Sequence, residues 1–256
     1  MLIMTFNLRF ENDRDGENNW SNRRATVIEV IERYRPALLG TQEGTRAQLS
    51  YLREHLSGYG LFAPQRFWDE TCQYPSLFYR TGELVPLEGG DHWLSETPGV
   101  HRSIGWDSAF PRMMSCGRFE DVRSGQKVWA VVTHLDNMGA VARIEQARII
   151  AQWIARCGGP CILAGDFNDS PGSTVHQMLL APETGLRDTW EVLKKKEDEL
   201  SMTYHKFSGA PMVCRMAWVL ASRSFEPVEA VIVRDRGIDG HYPSDHFPYL
   251  VRLSWK

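Results

Sequence analysis

The chain has 256 residues, 43% hydrophobic and 24% charged, with 9 Trp, 8 Tyr and 11 Phe spread along its length. These values exclude an intrinsically disordered chain and point to a folded globular protein. With 29 basic against 32 acidic side chains, a formal net charge of -3, it lacks the excess needed to coat nucleic acid through a broad basic surface.

The length fits one domain over residues 1–256. Apolar runs such as 128–132 and 162–164 are far shorter than the about 20 residues of a membrane span. Residues 1–10, MLIMTFNLRF, lack the basic start and long apolar stretch of a signal peptide. Cys72, Cys116, Cys157, Cys161 and Cys214 are odd in number and scattered, which suits a reduced cytoplasmic protein. The closest pair, in CGGPC, lacks zinc-type spacing and reads as idle or buried thiols.

Residues 2–6 read as an opening strand, followed by a polar loop over 11–19. Ser21 or Asn22 can cap a helix carrying Val27, Val30, Ile31 and Tyr34 at helical spacing, which Pro36 stops. Residues 37–41 predict a strand running into Gln42-Glu43-Gly44, and 47–56 a helix ended at Gly58. Short strands and turns then run to about residue 135, clearest at 77–79, 113–119 and 127–133. Apolar residues at 141, 144, 147, 150, 151 and 154 predict an amphipathic helix over 139–156. Residues 160–165 read as a buried strand ending in Gly165-Asp166-Phe167-Asn168, and 171–180 as a helix opening on proline. Residues 190–196 look helical and enter the run KKKEDE, which reads as a solvated face. Strands follow at 214–220, 228–233 and 249–253. The mixture predicts one α/β or α+β domain.

Polar side chains collect where strands end. Asn7 follows MTF, Glu43 follows LLGTQ, His134 follows WAVVT, and Asp166 and Asn168 follow ILAG; Asp245 and His246 precede the last strand. A rigid sheet makes such ends good platforms for converging groups. A hard cation such as Mg²⁺ takes carboxylate, amide and water oxygens, and it can neutralise a phosphoester and stabilise its leaving oxygen. Asp166 and Asn168 would share a face in an extended segment. Two histidines could donate to phosphate oxygens as charge builds. Singly, each residue reads as a turn or cap; their combination and order carry the signal.

In order, TFN (5–7), QEG (42–44), THLD (133–136), GDFN (165–168) and SDHFP (244–248) resemble the motifs of the endonuclease/exonuclease/phosphatase superfamily. That metal-dependent phosphoesterase group includes DNase I-like nucleases, abasic-site endonucleases, sphingomyelinases, inositol polyphosphate phosphatases and deadenylases. HWLSETP (92–98) and GWDSAFPR (105–112) resemble a bacterial subgroup near the deadenylase and nocturnin-like branch. The resemblance implies a four-layer α/β sandwich of the DNase I-like kind, two packed mixed β-sheets flanked by helices, with the site at one rim.

It also implies roles. Glu43 matches the main ligand of a Mg²⁺ or Mn²⁺ ion, Asn7 a residue near that metal, and Asp245 a second carboxylate beside it. Asp166 matches the base that orients or deprotonates the attacking water. Asn168 matches a group holding the phosphate or nucleophile, and His134 and His246 match two histidines flanking the phosphate. Arg112, in FPRMM, matches a phosphate-contacting arginine or forms a salt bridge. Two positions depart from the pattern. Ala217, in RMAWVL, stands where the family carries an Asp that orients the histidine matching His246. Gln73 stands where related sequences often have a Glu that pairs with the histidine matching His134. Asp235 and Asp239 are candidates to substitute for the lost carboxylate.

The expected function is therefore Mg²⁺-dependent hydrolysis of a phosphodiester or phosphomonoester by water attack, impaired by Ala217. The alternative is a catalytically degenerate binding protein on the same fold. Arg9 occupies the place of an Asp usual in abasic-site endonucleases, and MVCRMAWVL lacks the Trp-Cys-Asp-Arg stretch of inositol polyphosphate phosphatases. A nucleotide, a short nucleic acid or another small phosphoester remains as substrate, with no membrane partner and a monomeric protein expected. Trp20, Trp68, Trp93 and Trp106 either stack on a base or pack loops onto the core.

Overall fold

Two six-stranded sheets carry the chain in a computed structural model that describes residues 1–238 and 240–256. In chain order the elements are β1 (Leu2–Asn7), α1 (Trp20–Tyr34), β2 (Leu38–Gly44), α2 (Arg46–His55), β3 (Tyr59–Phe62), β4 (Tyr74–Arg80), β5 (Leu84–Trp93) and β6 (Met113–Asp121). There follow β7 (Lys127–His134), α3 (Ala140–Cys157), β8 (Cys161–Asp166), α4 (Thr174–Leu179), β9 (Leu186–Asp188), α5 (Thr189–Val192), β10 (Ala217–Ser222), β11 (Phe225–Ile232) and β12 (Tyr249–Trp255). The first sheet runs β11-β12-β1-β2-β4-β3 and the second β5-β6-β7-β8-β10-β9. Each is antiparallel except for one central pair, β1 with β2 and β7 with β8.

The side-chain period of two explains the layers. Ile3 faces the space between the sheets, where Leu38, Val132, Ile162 and Val219 meet it. Its neighbour Met4 faces outward with Phe6 and Leu39, under Val27 and Val30 of α1 and Leu52 of α2. In the second sheet Val131 and Leu163 turn outward, under Ala147 and Ile150 of α3 and Leu179 of α4. Both faces of each sheet are covered, so the central strands read as near-continuous apolar runs. This is the expected four-layer sandwich. The sheets approach closely at Gly40, where an added Cβ would lie 2.9 Å from Val132 Cγ2, and at Gly117, where it would lie 2.8 Å from Phe62.

Several boundaries differ from expectation. The cap of α1 is Asn19, whose side chain accepts from the Asn22 amide, so the helix takes in Trp20 as a buried first residue. α4 starts only at Thr174, capped by Ser173, and leaves Pro171 outside. β10 starts at Ala217 rather than 214, because Thr203 Oγ1 takes the Met216 and Ala217 amides just where pairing with β8 begins. Pro86, Gly89 and Gly90 disguise β5 in the sequence, and a register shift at Pro86/Glu88 accommodates the proline. The run KKKEDE is not purely solvated, since Glu197 Oε1 accepts from Arg215 Nε at 2.9 Å. Among the described residues, no helix is long and apolar enough to cross a membrane.

Candidate active site

The two parallel pairs end at one rim. Asn7 lies beside Gln42 in the first sheet, and His134 beside Asp166 in the second. Glu43 reaches the rim through an irregularity: the β2–β4 register shifts between Thr41 and Gly44, and Glu43 takes a left-handed backbone with φ 61°. Such a conformation costs about 1–3 kcal/mol for a non-glycine residue and turns the side chain out of strand alternation.

Asn7 ties the sheets together. Its Nδ2 donates to Glu43 Oε1 and to Asp166 Oδ2, both at 3.0 Å, and its Oδ1 accepts from the Arg9 amide at 2.9 Å. Glu43 Oε2 accepts from the Phe10 amide at 3.1 Å. Asp245 is buried, with Arg9 Nε 3.9 Å from its Oδ2, while the same guanidinium grips Asp15 through two bonds of 2.8 Å. Burial pushes the Asp245 carboxyl up, and the charge of Glu43 adds to the push against His246 and Arg9. Two mutually repelling carboxylates with all-oxygen donors fit a hard divalent cation. Asn7 turns its N–H groups, not its oxygen, to Glu43 and to Asp166.

Asp166 and Asn168 do not share an extended segment. Asp166 closes β8, whereas Asn168 is left-handed with φ 50°, and its amide donates back to Asp166 Oδ1 at 3.1 Å. The turn carries the Asn168 side chain to His134, with Nδ2 2.9 Å from His134 Nε2 and 2.9 Å from the Leu135 carbonyl oxygen. Arg112 Nη1 meets the other ring nitrogen, Nδ1, at 3.1 Å. Burial, then the charges of Arg112 and His246, hold His134 well below the usual histidine range, so the ring is neutral. Arg112 is neither on the surface nor free: its Nε lies 3.4 Å from Asp136 Oδ2 and its Nη2 donates to Asn137 Oδ1 at 3.1 Å.

His246 stands opposite. Its Nδ1 is buried without a hydrogen-bond partner among the described residues, with Asp166 Oδ2 3.4 Å away. Ala217 is buried on β10, paired with Asp166. Asp235 does not fill the gap, because it binds Arg33 at 2.8 Å and the Tyr34 hydroxyl at 3.1 Å. Asp239 lies outside the described residues. Gln73 lines the cleft with His134.

The cleft has a volume of about 460 Å³ and holds Glu43, Arg112, His134, Asp166, Asn168, Asp245 and His246. Its wall adds Phe10, Phe110 and Tyr204, which sequence reasoning missed. Only Phe110 left a trace, in its position two residues before Arg112; Tyr204 arrives through isolated bridges to Met212 and His246. The tryptophans stay out of the cleft. Trp20 and Trp93 are buried, Trp68 packs edge-on against Tyr74, and Trp106 is part of a surface loop.

A family model matches residues 4–246. The chain belongs to the Endonuclease/Exonuclease/phosphatase family. Within it, the mannosyl-6-phosphatase Bt3783 of Bacteroides thetaiotaomicron is similar over 100% of both chains, with 28% identity and a TM-score of 0.88. The human Nocturnin catalytic domain is similar in fold alone, at 19% identity and a TM-score of 0.73 over 100% of this chain and 93% of that one. Uncharacterized protein L388 of Acanthamoeba polyphaga mimivirus is 28% identical over 170 residues, which is 58% of this chain but only 59% of that relative.

Proposed function

We propose that this family member hydrolyses a small phosphoester by water attack, with Mg²⁺ or Mn²⁺ held at Glu43 and Asp245. The observation that carries the reading is the convergence of Glu43, Asn7, Asp166, His134 and His246 on one cleft from the ends of both sheets. When bound, the cation supplies neutralisation of the phosphate charge and stabilisation of the leaving oxygen. Asp166, fixed by the Asn168 amide and Asn7 Nδ2, accepts the proton of the attacking water. His134 and Asn168 on one side, and His246 on the other, donate to the phosphate oxygens, and the Arg112 charge stands behind His134. Similarity to a mannosyl-6-phosphatase over its full length favours a phosphomonoester of a small alcohol over a long nucleic acid, as does the near-neutral charge.

The test is a screen of phosphomonoesters, nucleotides and short oligonucleotides with Mg²⁺ or Mn²⁺, with Asp166→Ala as control. Metal-dependent turnover that this change abolishes is expected. A second reading, a degenerate binding protein, is favoured by Ala217 in the place of the family's histidine-orienting Asp, with His246 Nδ1 left without a hydrogen bond among the described residues. Phosphoester binding without turnover, in the native chain and in Ala217→Asp alike, would establish it.

A further inference from the structure

Asp136 is fully buried next to the cleft, and the function read from the motifs leaves it without a task. Its carboxylate collects five N–H groups. Oδ1 accepts from the amides of Met138 at 3.0 Å and Gly139 at 2.7 Å. Oδ2 accepts from the amides of Ala109 at 3.1 Å and Phe110 at 3.3 Å, and from Arg112 Nε at 3.4 Å. The carboxylate thus fastens the loop carrying Arg112 to the loop that follows His134. Burial pushes the carboxyl up, but the amides of Gly139 and Met138 and the charge of Arg112 outweigh it, so it stays ionised.

A guanidinium only donates. With Arg112 Nη1 at 3.1 Å, His134 Nδ1 must accept, so a neutral ring carries its proton on Nε2. That Nε2–H points at Asn168 Nδ2, 2.9 Å away. The Leu135 carbonyl, also 2.9 Å from Nδ2, fixes that end of the amide as the nitrogen. Two donors therefore meet at the cleft wall without an acceptor between them. A non-bridging phosphate oxygen is the acceptor that satisfies both.

We propose that Asp136 is a positioning residue: through Arg112 it locks His134 as the Nε2–H tautomer, making His134 and Asn168 a two-donor pocket for one phosphate oxygen. The mechanistic consequence rests on the phosphoesterase reading; the tautomer does not.

The test uses the full chain labelled with ¹⁵N-histidine, with ring spectra of the native protein, Asp136→Asn and Arg112→Met, which keeps much of the length of the side chain but removes the donors; His134→Gln assigns the signals. The native ring is expected as Nε2–H with an unprotonated Nδ1, and inorganic phosphate with Mg²⁺ should move the Nε2 signal. Both variants should lose the single tautomer and lose about 10–100-fold in kcat with little change in KM. A native Nδ1–H ring, variants that keep Nε2–H, or a phosphate-blind Nε2 signal each overturn the proposal. Should Asp136→Asn fail to fold, Arg112→Met decides alone. Failure of every phosphoester to turn over sinks the phosphoesterase reading and leaves the tautomer result standing.

Discussion

Ala217 sits directly opposite Asp166 in the β8–β10 ladder, and the same Asp166 has an oxygen 3.4 Å from the unpartnered Nδ1 of His246. A carboxylate at 217 would therefore enter beside the Asp166 carboxylate that His246 Nδ1 faces without a hydrogen bond. Ala217→Asp should raise kcat by about 10–100-fold, the scale on which a histidine-orienting carboxylate acts. Steady-state kinetics on any phosphoester that the native chain turns over would decide it, and an unchanged rate would show that position 217 does not limit turnover.

Glu43 carries the metal prediction. Thermal or denaturant unfolding should show that Mg²⁺ or Mn²⁺ stabilises the native chain by about 2.7 kcal/mol at a hundredfold excess over its dissociation constant. Glu43→Ala should gain little at the same concentration. Equal gains in the two proteins would place the ion elsewhere.

Asp188 anchors the segment before Ala217. It accepts from His176 Nε2 at 2.9 Å and from Arg215 Nη2 at 2.8 Å, all three groups being buried. Burial pushes its carboxyl up, but the His176 hydrogen bond and the Arg215 charge outweigh this and hold it below its ordinary 3.8. A depressed folded value contributes stability above the unfolded value and loses it as pH falls through the folded one. Asp188→Asn should cost about 1–3 kcal/mol near neutral pH by weakening the buried hold on Arg215 and His176, with Glu197 still pairing Arg215. Urea unfolding at stepped pH should find the gap between the two proteins closing below the ordinary 3.8. A gap that stays constant into acid would deny the carboxylate its charge-dependent role.

Gly40 is one of the places where the sheets pack closely. A Cβ there would meet Val132 Cγ2 at 2.9 Å, on a branched side chain with little freedom to yield. Gly40→Ala should cost about 1–3 kcal/mol by overpacking. It should also lower kcat, since Glu43 and Asp166 belong to different sheets. Calorimetry with kinetics on the same preparation tests both; a destabilised variant with full kcat would separate the core from the site.

Motif order made the sandwich and the rim legible, because both are local: a strand ends, and a polar residue follows. Glu43, His134 and Asp166 could be placed on that ground. Their partners could not. The Arg112–His134 contact joins loops 22 residues apart, and Asn7–Asp166 spans 159, so no local spacing reports them. The left-handed turns at Glu43 and Asn168 were equally hidden, since neither residue is the glycine that such a backbone favours. The loop cap of α3 is a similar case: Asp107 Oδ1 accepts from the Ala142 amide at 2.6 Å, where a nearby residue would ordinarily serve.

Asn7 donates one hydrogen to a carboxylate of each sheet. The rim thus spans two layers that the core holds together, with Gly40 against Val132 and Gly117 against Phe62 among the close approaches. Pressure, temperature or a cavity between the sheets acts on that packing without touching a catalytic side chain. Turnover is for that reason expected to respond to core positions that no ligand touches.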